Sequence, residues 1–221
     1  MSVELAPLGD SAVIIRLDDS LGEILATARI LEAAKICGVI DIAPAFASVA
    51  VFFSSPDDRE NSTAAIETIL RQHKPSPRAI GETRLLEIPV CYEPAYGLDL
   101  EIVARHAQLS PNEIALHHSG ASYEVRCVGF TPGFPYLSGL PKVLATPRRA
   151  TPRVAVPPGS VAIGGAQTGI YPLASPGGWN IIGRTPLRLF DAAREPAALL
   201  QAGDRVRFFA ISGKEFARWE E

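Results

Sequence analysis

Short apolar runs alternate with amphipathic stretches of helical period in the first third of the chain. The apolar runs at residues 12–17 and 47–53 predict buried strands, and residues 21–31 and 57–73 repeat apolar side chains at helical spacing. A further apolar run at 85–91 predicts a strand that closes this unit or opens the next. The order strand–helix–strand–strand–helix–strand suggests a small α+β sandwich of the ferredoxin-like type.

The pattern becomes mainly β after two short predicted helices. The second helix is expected to begin at Ser110, because the run Ser-Pro-Asn-Glu has the form of a capping box with proline in the first turn. Strand-like runs then follow at short intervals, separated by turn residues, at 123–128, 159–163, 180–182, 187–190 and 205–209. This spacing favours a closed barrel over an open sheet.

Two domains are therefore predicted, a small α+β domain at 1–84 and a mainly β barrel at 85–221, joined by a linker-like segment at 74–83. The length of 221 residues allows one large domain or two small ones. A hydrophobic fraction of 47% with 20% charged residues is ordinary for a soluble globular protein and excludes wholesale disorder.

No membrane span, secretory signal or disulfide framework is predicted. No window approaches the ~20 apolar residues that a spanning helix needs, and the amino terminus lacks a basic flank followed by an apolar run. We therefore expect a cytoplasmic protein. The three cysteines Cys37, Cys91 and Cys127 are far apart and form no CxxC pair, so they are interpreted as reduced thiols and not as a zinc site.

The charge is distributed unevenly along the chain. The net charge is −3, but residues 125–190 contain no Asp or Glu and seven Lys or Arg. Residues 130–186 also hold 10 of the 19 prolines and 9 of the 18 glycines, which predicts stiff loops. Such a surface is suited to an anion, because neighbouring carboxylates would repel it. The alternative is a tightly wound barrel whose acidic residues lie elsewhere.

Aromatic residues alternate with Gly and Pro at 129–137, and two arginines follow. The rings are candidates for the wall of an apolar pocket, and the alternative is a loop that covers the core. Arg148 and Arg153 each lie beside a proline and could clamp a carboxylate or phosphate, although paired surface arginines are often only solvated. The candidate wall residues are Phe130, Pro132, Gly133, Phe134 and Tyr136.

Two further glycine-rich segments and one histidine are candidates for substrate binding or catalysis. Gln167 and Thr168 offer neutral donors and acceptors for an amide ligand, although a tight hairpin would explain the same residues. His118 is a candidate catalytic group, with a neutral core histidine as the alternative. The segment 176–179 is predicted to present the face of a tryptophan ring beside backbone amides, and the alternative is a buried tryptophan that anchors the fold. The candidate substrate-binding residues here are Pro176, Gly177, Gly178, Trp179 and the nearby Arg184.

Standard catalytic signatures are missing. The chain has no GxGxxG, GxxxxGK[ST], HExxH or GxSxG motif, so no ATP site or other cofactor site is evident in this chain alone. Nucleic-acid binding is not predicted, because the isoelectric point is about 5.9 and no recognition motif is present.

Four segments of the carboxyl half together resemble one family. GFTPGFPYLSGL, TPRRATPR, VPPGSVAIGGAQTGIYPLASPGGWNIIGRTPLRLFD and QAGDRVRF are similar to the family that contains the 5-oxoprolinase B subunit, allophanate hydrolase subunit 1 and the sporulation-kinase inhibitor KipI. The resemblance implies a small α+β domain followed by a cyclophilin-like β-barrel. The chain departs from the family at 92–100, where YEPAYGLDL stands in place of a pattern like YGxEFGPDL.

The resemblance also implies an activity and partners. In the oxoprolinase role, this chain would act directly with a C-type subunit, of the allophanate hydrolase subunit 2 kind, and with an A-type subunit. The complex would open 5-oxoproline to glutamate at the expense of ATP. The alternatives are a KipI-like inhibitor that docks on a histidine kinase, or a carboxyltransferase component of the allophanate hydrolase or urea carboxylase kind. Prolyl isomerase activity is a weak alternative, because barrel shape does not carry function.

A ligand of this kind would match the candidate residues. 5-Oxoproline is a lactam that bears a carboxylate, so its pocket needs an anion clamp, an amide-reading group and apolar walls. Arg148, Arg153 or Arg184 could supply the clamp. Gln167 and Thr168 could read the amide, and Phe130, Phe134 and Trp179 could form the walls.

Overall fold

The structure, a computed structural model, describes residues 4–18, 20–72 and 83–219. The chain divides into two compact units, 1–83 and 84–221. The sequence predicts that each unit is an independent domain, with the boundary after residue 84. This stays a prediction. No helix in the described ranges is long and apolar enough to cross a membrane.

The first unit is a four-stranded antiparallel sheet with two helices, and the strands lie in the order β1-β2-β4-β3. Alternate residues of the central strands β2 and β4, such as Ile15, Val49 and Val51, form the core with Ile24 and Ile66 of the helices. Its elements are β1 (Glu4–Pro7), β2 (Ala12–Arg16), α1 (Leu21–Ala33), β3 (Val39–Ala45), β4 (Ser48–Phe53) and α2 (Pro56–Gln72).

The element order of this unit differs from the predicted one. The sheet follows strand–strand–helix–strand–strand–helix, because the four-residue strand β1 pairs with β2 and the chain from Val39 to Ala45 pairs with β4. The apolar run at 85–91 does not join this sheet but pairs with residues 205–211 of the second unit. The apolar character of this strand is compatible with either unit, because a strand of the first sheet and a strand of the barrel would both be buried.

The second unit contains a closed barrel, with its strands in the order β10-β7-β6-β13-β5-β12-β9, and the expectation of a closed barrel is confirmed. Among the described strands of the barrel, β5 and β13 alone pair in parallel. Strands β8 and β11 form a separate two-stranded ribbon. The elements are β5 (Leu85–Cys91), α3 (Leu100–Ala107), α4 (Pro111–Ser119), β6 (Ser122–Val128), β7 (Pro135–Ser138), a 3-10 helix (Lys142–Leu144), β8 (Arg153–Val156), β9 (Ser160–Gly164), β10 (Gln167–Ile170), β11 (Ser175–Gly177), β12 (Asn180–Arg184), β13 (Arg205–Ile211) and α5 (Gly213–Trp219).

The barrel interior is filled by branched apolar side chains. Val90, Val125, Val161 and Ile163 are fully buried in one cluster, which also takes in Ile114 of α4. Small barrels commonly fill their interior in this way, so a ligand site is expected at the loops or on the outside. Helix α4 starts with the predicted capping box, in which the Ser110 and Glu113 side chains and backbone groups satisfy each other.

One predicted strand is wrong. Residues 187–190 form no strand, and only Phe190 makes an isolated bridge, to Ala198. Pro186 offers no backbone N–H, and the N–H of Leu187 donates to the hydroxyl of Thr185 at 3.3 Å, which closes a local turn.

Candidate functional site

Five aromatic rings pack together where the loop before β7 meets the segments around β10 and β11. The ring of Phe134 lies at the centre, edge-on to the rings of Phe130, Tyr136, Tyr171 and Trp179 at centroid distances of 5.7, 4.9, 5.1 and 5.5 Å. Edge-to-face contacts of this kind stabilise aromatic pairs beyond their buried area. These rings form the aromatic cluster of the unit.

Glycines of the two glycine-rich motifs make room for these rings. A Cβ on Gly164 would lie 2.5 Å from the Trp179 indole, and a Cβ on Gly177 would lie 2.4 Å from the Tyr171 hydroxyl. The glycines of these motifs therefore allow ring packing. Trp179 is 6% exposed, so the buried anchoring role considered for it in the sequence describes most of its ring.

Phe130 differs from the other rings because it is 62% exposed. Its φ is +70°, in the left-handed region that non-glycine residues rarely adopt. Strained residues with exposed rings occur at ligand sites, where the surrounding structure holds them in place. Gly133, three residues later, has φ +81° and packs against Phe190, so it shapes the turn. Pro132 lies on the same loop.

Arg148 lies over the aromatic cluster. Its guanidinium carbon is 5.8 Å from the centroid of the Trp179 ring, a cation–π distance. Among the described residues, no carboxylate forms an ion pair with Arg148. Burial raises the pKa of the Tyr136 and Tyr171 hydroxyls, and the positive charge of Arg148 opposes that rise. Arg148 therefore presents an uncompensated positive charge beside an apolar wall.

A cavity of about 480 Å³ opens beside Arg148. The lining comes from helix α3, the loop at 146–151 and the start of β12, and its polar members include His106, Arg149 and Asn180. None of its lining residues in the described part of the chain is an Asp or Glu. A cavity of this size with cationic and neutral polar groups fits a small organic anion.

Arg149 and Arg153 are held by a carboxylate from outside the acid-free stretch. Asp99, which is 1% exposed, accepts hydrogen bonds from Arg149 Nη1 at 2.7 Å and from Arg153 Nη1 and Nη2 at 2.7 and 2.9 Å. Both terminal nitrogens of Arg153 are therefore engaged by Asp99, and a part for Arg153 in clamping a ligand stays a prediction. A contact across 54 residues of chain leaves no trace in the local sequence.

His118 lies in the barrel core and is fully buried. Its Nδ1 is 2.8 Å from the Tyr92 hydroxyl, and its Nε2 is 3.1 Å from the Thr168 hydroxyl, which donates to the carbonyl of Ala162 at 3.0 Å. This chain of donors assigns the proton to Nε2. Burial lowers the pKa of His118 to about 3, so the ring is neutral. A buried ring that is hydrogen-bonded on both nitrogens fits the alternative of a neutral core histidine, and a catalytic role for His118 stays a prediction.

Of the two candidate amide-reading residues, Thr168 is committed to the fold, and an amide-reading role for the Gln167 side chain stays a prediction. Thr168 is fully buried and uses its hydroxyl in the His118 network. Gln167 pairs with Gly164 across the two-residue turn between β9 and β10, which is the hairpin alternative. Gly178 lies between Gly177 and Trp179, and its carbonyl accepts from the N–H of Arg149 at 2.7 Å. Pro176 is exposed in the outer ribbon.

Arg184 lies apart from the other arginines. It is four residues from Asn180 along β12, about 13 Å of extended chain. Its Nε donates to the carbonyl of Pro158 at 2.7 Å, and its guanidinium carbon is 5.7 Å from the Phe216 ring. The structure therefore does not bring Arg148, Arg153 and Arg184 into one hollow. Sequence reasoning missed Asp99, Arg149 and Tyr171, although Tyr171 lies in a motif that it singled out.

The barrel, the aromatic cluster and the arginine loop belong to a chain of a known family. The family model for the carboxyltransferase domain, subdomains C and D, matches residues 3–200, and the chain belongs to this family. It is 40% identical to the 5-oxoprolinase B subunit of Bacillus subtilis, over 99% of this chain and 97% of that protein. It is 43% identical to the 5-oxoprolinase B subunit of Escherichia coli O157:H7, over 91% and 93% of the two chains.

Solved structures share the fold. Protein TTHA0988 matches with a TM-score of 0.80 and 35% identity over 91% of this chain, and this chain spans 40% of the length of that one. Protein PH0987 from Pyrococcus horikoshii matches with a TM-score of 0.59 and 37% identity, over 96% of this chain and all of that chain. The Kluyveromyces lactis urea carboxylase matches at 19% identity and a TM-score of 0.72, over 98% of this chain and 22% of that one, which shows a common fold.

Proposed function

We propose that this chain is the B subunit of an ATP-dependent 5-oxoprolinase, acting with A-type and C-type subunits. The observation that carries this proposal is the 40% identity to a 5-oxoprolinase B subunit over nearly the full length of both chains. The complex would convert 5-oxo-L-proline, ATP and water to L-glutamate, ADP and phosphate. ATP enters the proposal at the level of the complex.

Arg148 is the residue of this chain that would hold the substrate carboxylate. It is exposed, it has no carboxylate partner among the described residues, and it stands beside a cavity of about 480 Å³ without an acidic side chain. A guanidinium group binds a carboxylate through paired, charge-assisted hydrogen bonds. Ile102 and Pro147 form apolar parts of the cavity wall, and the exposed ring of Phe130 in the aromatic cluster would extend that wall for the lactam ring. The N–H of the lactam would meet the side-chain carbonyl of Asn180, whose amide nitrogen donates to the carbonyls of Pro147 and Ile163.

The hydrolysis needs activation, because amide resonance resists attack by water. Phosphorylation of the lactam carbonyl by ATP would give a species that water can open. In this proposal, Arg148 binds and orients the substrate by its carboxylate, and the aromatic cluster excludes water from one face of the ring. Charge-assisted contacts of this type are stronger where water is excluded.

Reconstitution tests the assignment. The chain is combined with the A-type and C-type proteins of the same organism, 5-oxo-L-proline and ATP, and glutamate formation is measured. We expect glutamate only when all three proteins are present. A rate that does not depend on this chain would show that it is no part of the enzyme.

Arg148→Ala tests the carboxylate contact within that complex. Loss of one charge-assisted contact of about 1.5–3 kcal/mol should lower kcat/KM by about tenfold to hundredfold. Arg188→Ala is the matched control, because Arg188 lies in the same acid-free stretch, is 73% exposed and pairs with Asp191 on the surface. Equal kcat/KM values for the two variants would show that Arg148 does not bind the substrate carboxylate.

A carboxyltransferase role is the second candidate. An alignment of 68 residues, which takes in 28% of this chain, is 38% identical to the urea amidolyase of Lachancea kluyveri. Urea or allophanate turnover by the same reconstituted complex, in the absence of 5-oxoproline turnover, would favour this role. Docking on a histidine kinase, the cytoplasmic location and the finer description as ferredoxin-like and cyclophilin-like domains stay predictions.

A further inference from the structure

Asp99 stands where helix α3 begins but its side chain does not cap that helix. Its carbonyl accepts the first helical hydrogen bonds, from the N–H groups of Ile102 and Val103 at 2.9 and 3.0 Å. An aspartate at this position ordinarily accepts a hydrogen bond from the first turn through its side chain. Here the carboxylate makes no such bond. The side chain is therefore committed to other groups.

Those groups come from two other segments of the barrel unit. Oδ1 accepts from Arg149 Nη1 and Arg153 Nη2, and Oδ2 accepts from Arg153 Nη1 and from the backbone N–H of Ile181 at 2.8 Å. The backbone N–H of Asp99 in turn donates to the carbonyl of Ile181 at 2.7 Å. One buried carboxylate thus joins the start of α3, strand β12 and the segment 148–153, which ends at the first residue of β8.

The same segment carries Arg148. Arg149 is tied to Asp99 through its side chain and to the carbonyl of Gly178 through its backbone N–H. Gly178 precedes Trp179, on which Arg148 stacks. The position of Arg148 over the indole is therefore fixed by its neighbour, while Asp99 forms no ion pair with Arg148 itself.

The charges explain why the arrangement keeps Arg148 available. Arg149 and Arg153 share one carboxylate, so the three groups together carry a single positive charge. Within the described ranges, no acidic side chain pairs with Arg148. We propose that Asp99 is a positioning residue, which holds the segment 148–153 by Arg149 and Arg153 so that Arg148 faces the carboxylate of a small organic anion. This proposal rests on the proposed function only for the identity of that anion.

Fluorescence of Trp179 tests the positioning without any activity. Trp179 and Trp219 are the two tryptophans of the chain, so a Trp219→Phe background leaves Trp179 as the single reporter. We expect Asp99→Asn to raise the acrylamide quenching constant to the value given by Arg148→Ala, because both changes uncover the indole. Glu87→Gln, at an exposed surface pair, is the control and should change nothing. Unchanged quenching in Asp99→Asn would overturn the proposal.

A double-mutant cycle in the reconstituted complex separates positioning from a general effect on folding. We expect Asp99→Asn to lower kcat/KM by about tenfold to hundredfold, as misplacement of a binding group does. Arg148→Ala should cause little further loss in the Asp99→Asn background, because Asp99 acts through Arg148. Fully additive losses would contradict this. An inactive complex with the expected quenching would reject the 5-oxoprolinase assignment and keep the positioning role.

If Asp99→Asn does not fold, Arg149→Gln tests whether the tie to Asp99 positions Arg148. This change keeps the two bonds from Arg153 to Asp99 and removes only the tie next to Arg148. We expect a folded chain by circular dichroism, with quenching of Trp179 between that of the parent and that of Arg148→Ala. A quenching constant equal to the parent value would overturn the proposal.

Discussion

Asp99 and His118 are both at most 1% exposed and both lie in the barrel unit, but their partners differ. His118 is neutral and belongs to a closed chain of hydrogen bonds that runs from Tyr92 to the carbonyl of Ala162. Asp99 is paired with two arginines, each of which is more than a fifth exposed. One network therefore connects core elements with each other, and the other connects the core with a surface loop.

The charge and exposure of the hydrogen-bond partners distinguish buried polar residues that stabilise the fold from those that support a binding site. A neutral network without a spare donor has nothing to offer a ligand. A charged network with an excess of guanidinium groups keeps positive charge at the surface, where an anion can use it. Burial alone would have put both residues into the same class.

Removal of the Asp99 carboxylate should have the largest effect on stability. Asp99→Ala leaves two guanidinium groups without their buried partner, which costs about 3–5 kcal/mol of the free energy of unfolding. Urea unfolding of the isolated chain, followed by the fluorescence of the two tryptophans of the barrel unit, measures this. Glu87→Ala breaks an exposed pair with Arg207 and should cost about 1 kcal/mol or less. Equal losses would erase the difference between the two networks.

Acid should weaken the His118 network. Burial lowers the pKa of His118 from 6.5 to about 3, so below pH 6.5 the unfolded chain takes up a proton that the folded chain does not. The stabilisation is complete above pH 6.5 and is lost as the pH falls towards about 3, at up to about 1.4 kcal/mol per pH unit. Unfolding of the parent and of His118→Gln between about pH 7 and pH 4.5 measures this. A constant difference between the two would contradict the neutral assignment.

Arg148→Ala should have the smallest effect on stability. Its side chain is exposed and gains only a cation–π contact of about 0.5–1 kcal/mol with Trp179. The same urea titration should therefore show a loss of at most about 1 kcal/mol, although the variant is expected to impair the complex. A loss as large as that of Asp99→Ala would place Arg148 among the residues that hold the fold.

Local patterns were enough for much of the fold. The capping box at Ser110, the two helices of the first unit and the barrel strands around 123–128 and 205–209 follow from side chains a few residues apart. Several strands were missed, the seven-residue β3 among them. Strand β1 and the ribbon strands β8 and β11 are three or four residues long, and pairing with distant partners defines them.

The site was predicted less well, for a related reason. The composition of 125–190 indicated a basic surface, but Asp99 reaches that surface from 50 residues before Arg149 and neutralises part of it. The glycine-rich segments around Gln167 and Trp179 were candidates for a ligand site, whereas Gly164 and Gly177 make room for the rings of Trp179 and Tyr171. Arg148 was a candidate anion-binding residue because of its residue type. Its side chain is exposed, and no carboxylate of the described chain pairs with it.

The parallel pairing of β5 with β13 has a consequence for synthesis of the protein. β5 is the first strand of the barrel along the chain and β13 is the last, and β13 also pairs with β6. A nascent chain therefore exposes two open strand edges until residues 205–211 have left the ribosome. Unpaired edges invite association with other chains, so truncation just before Arg205 should give an aggregating product even though almost all of the core residues are present.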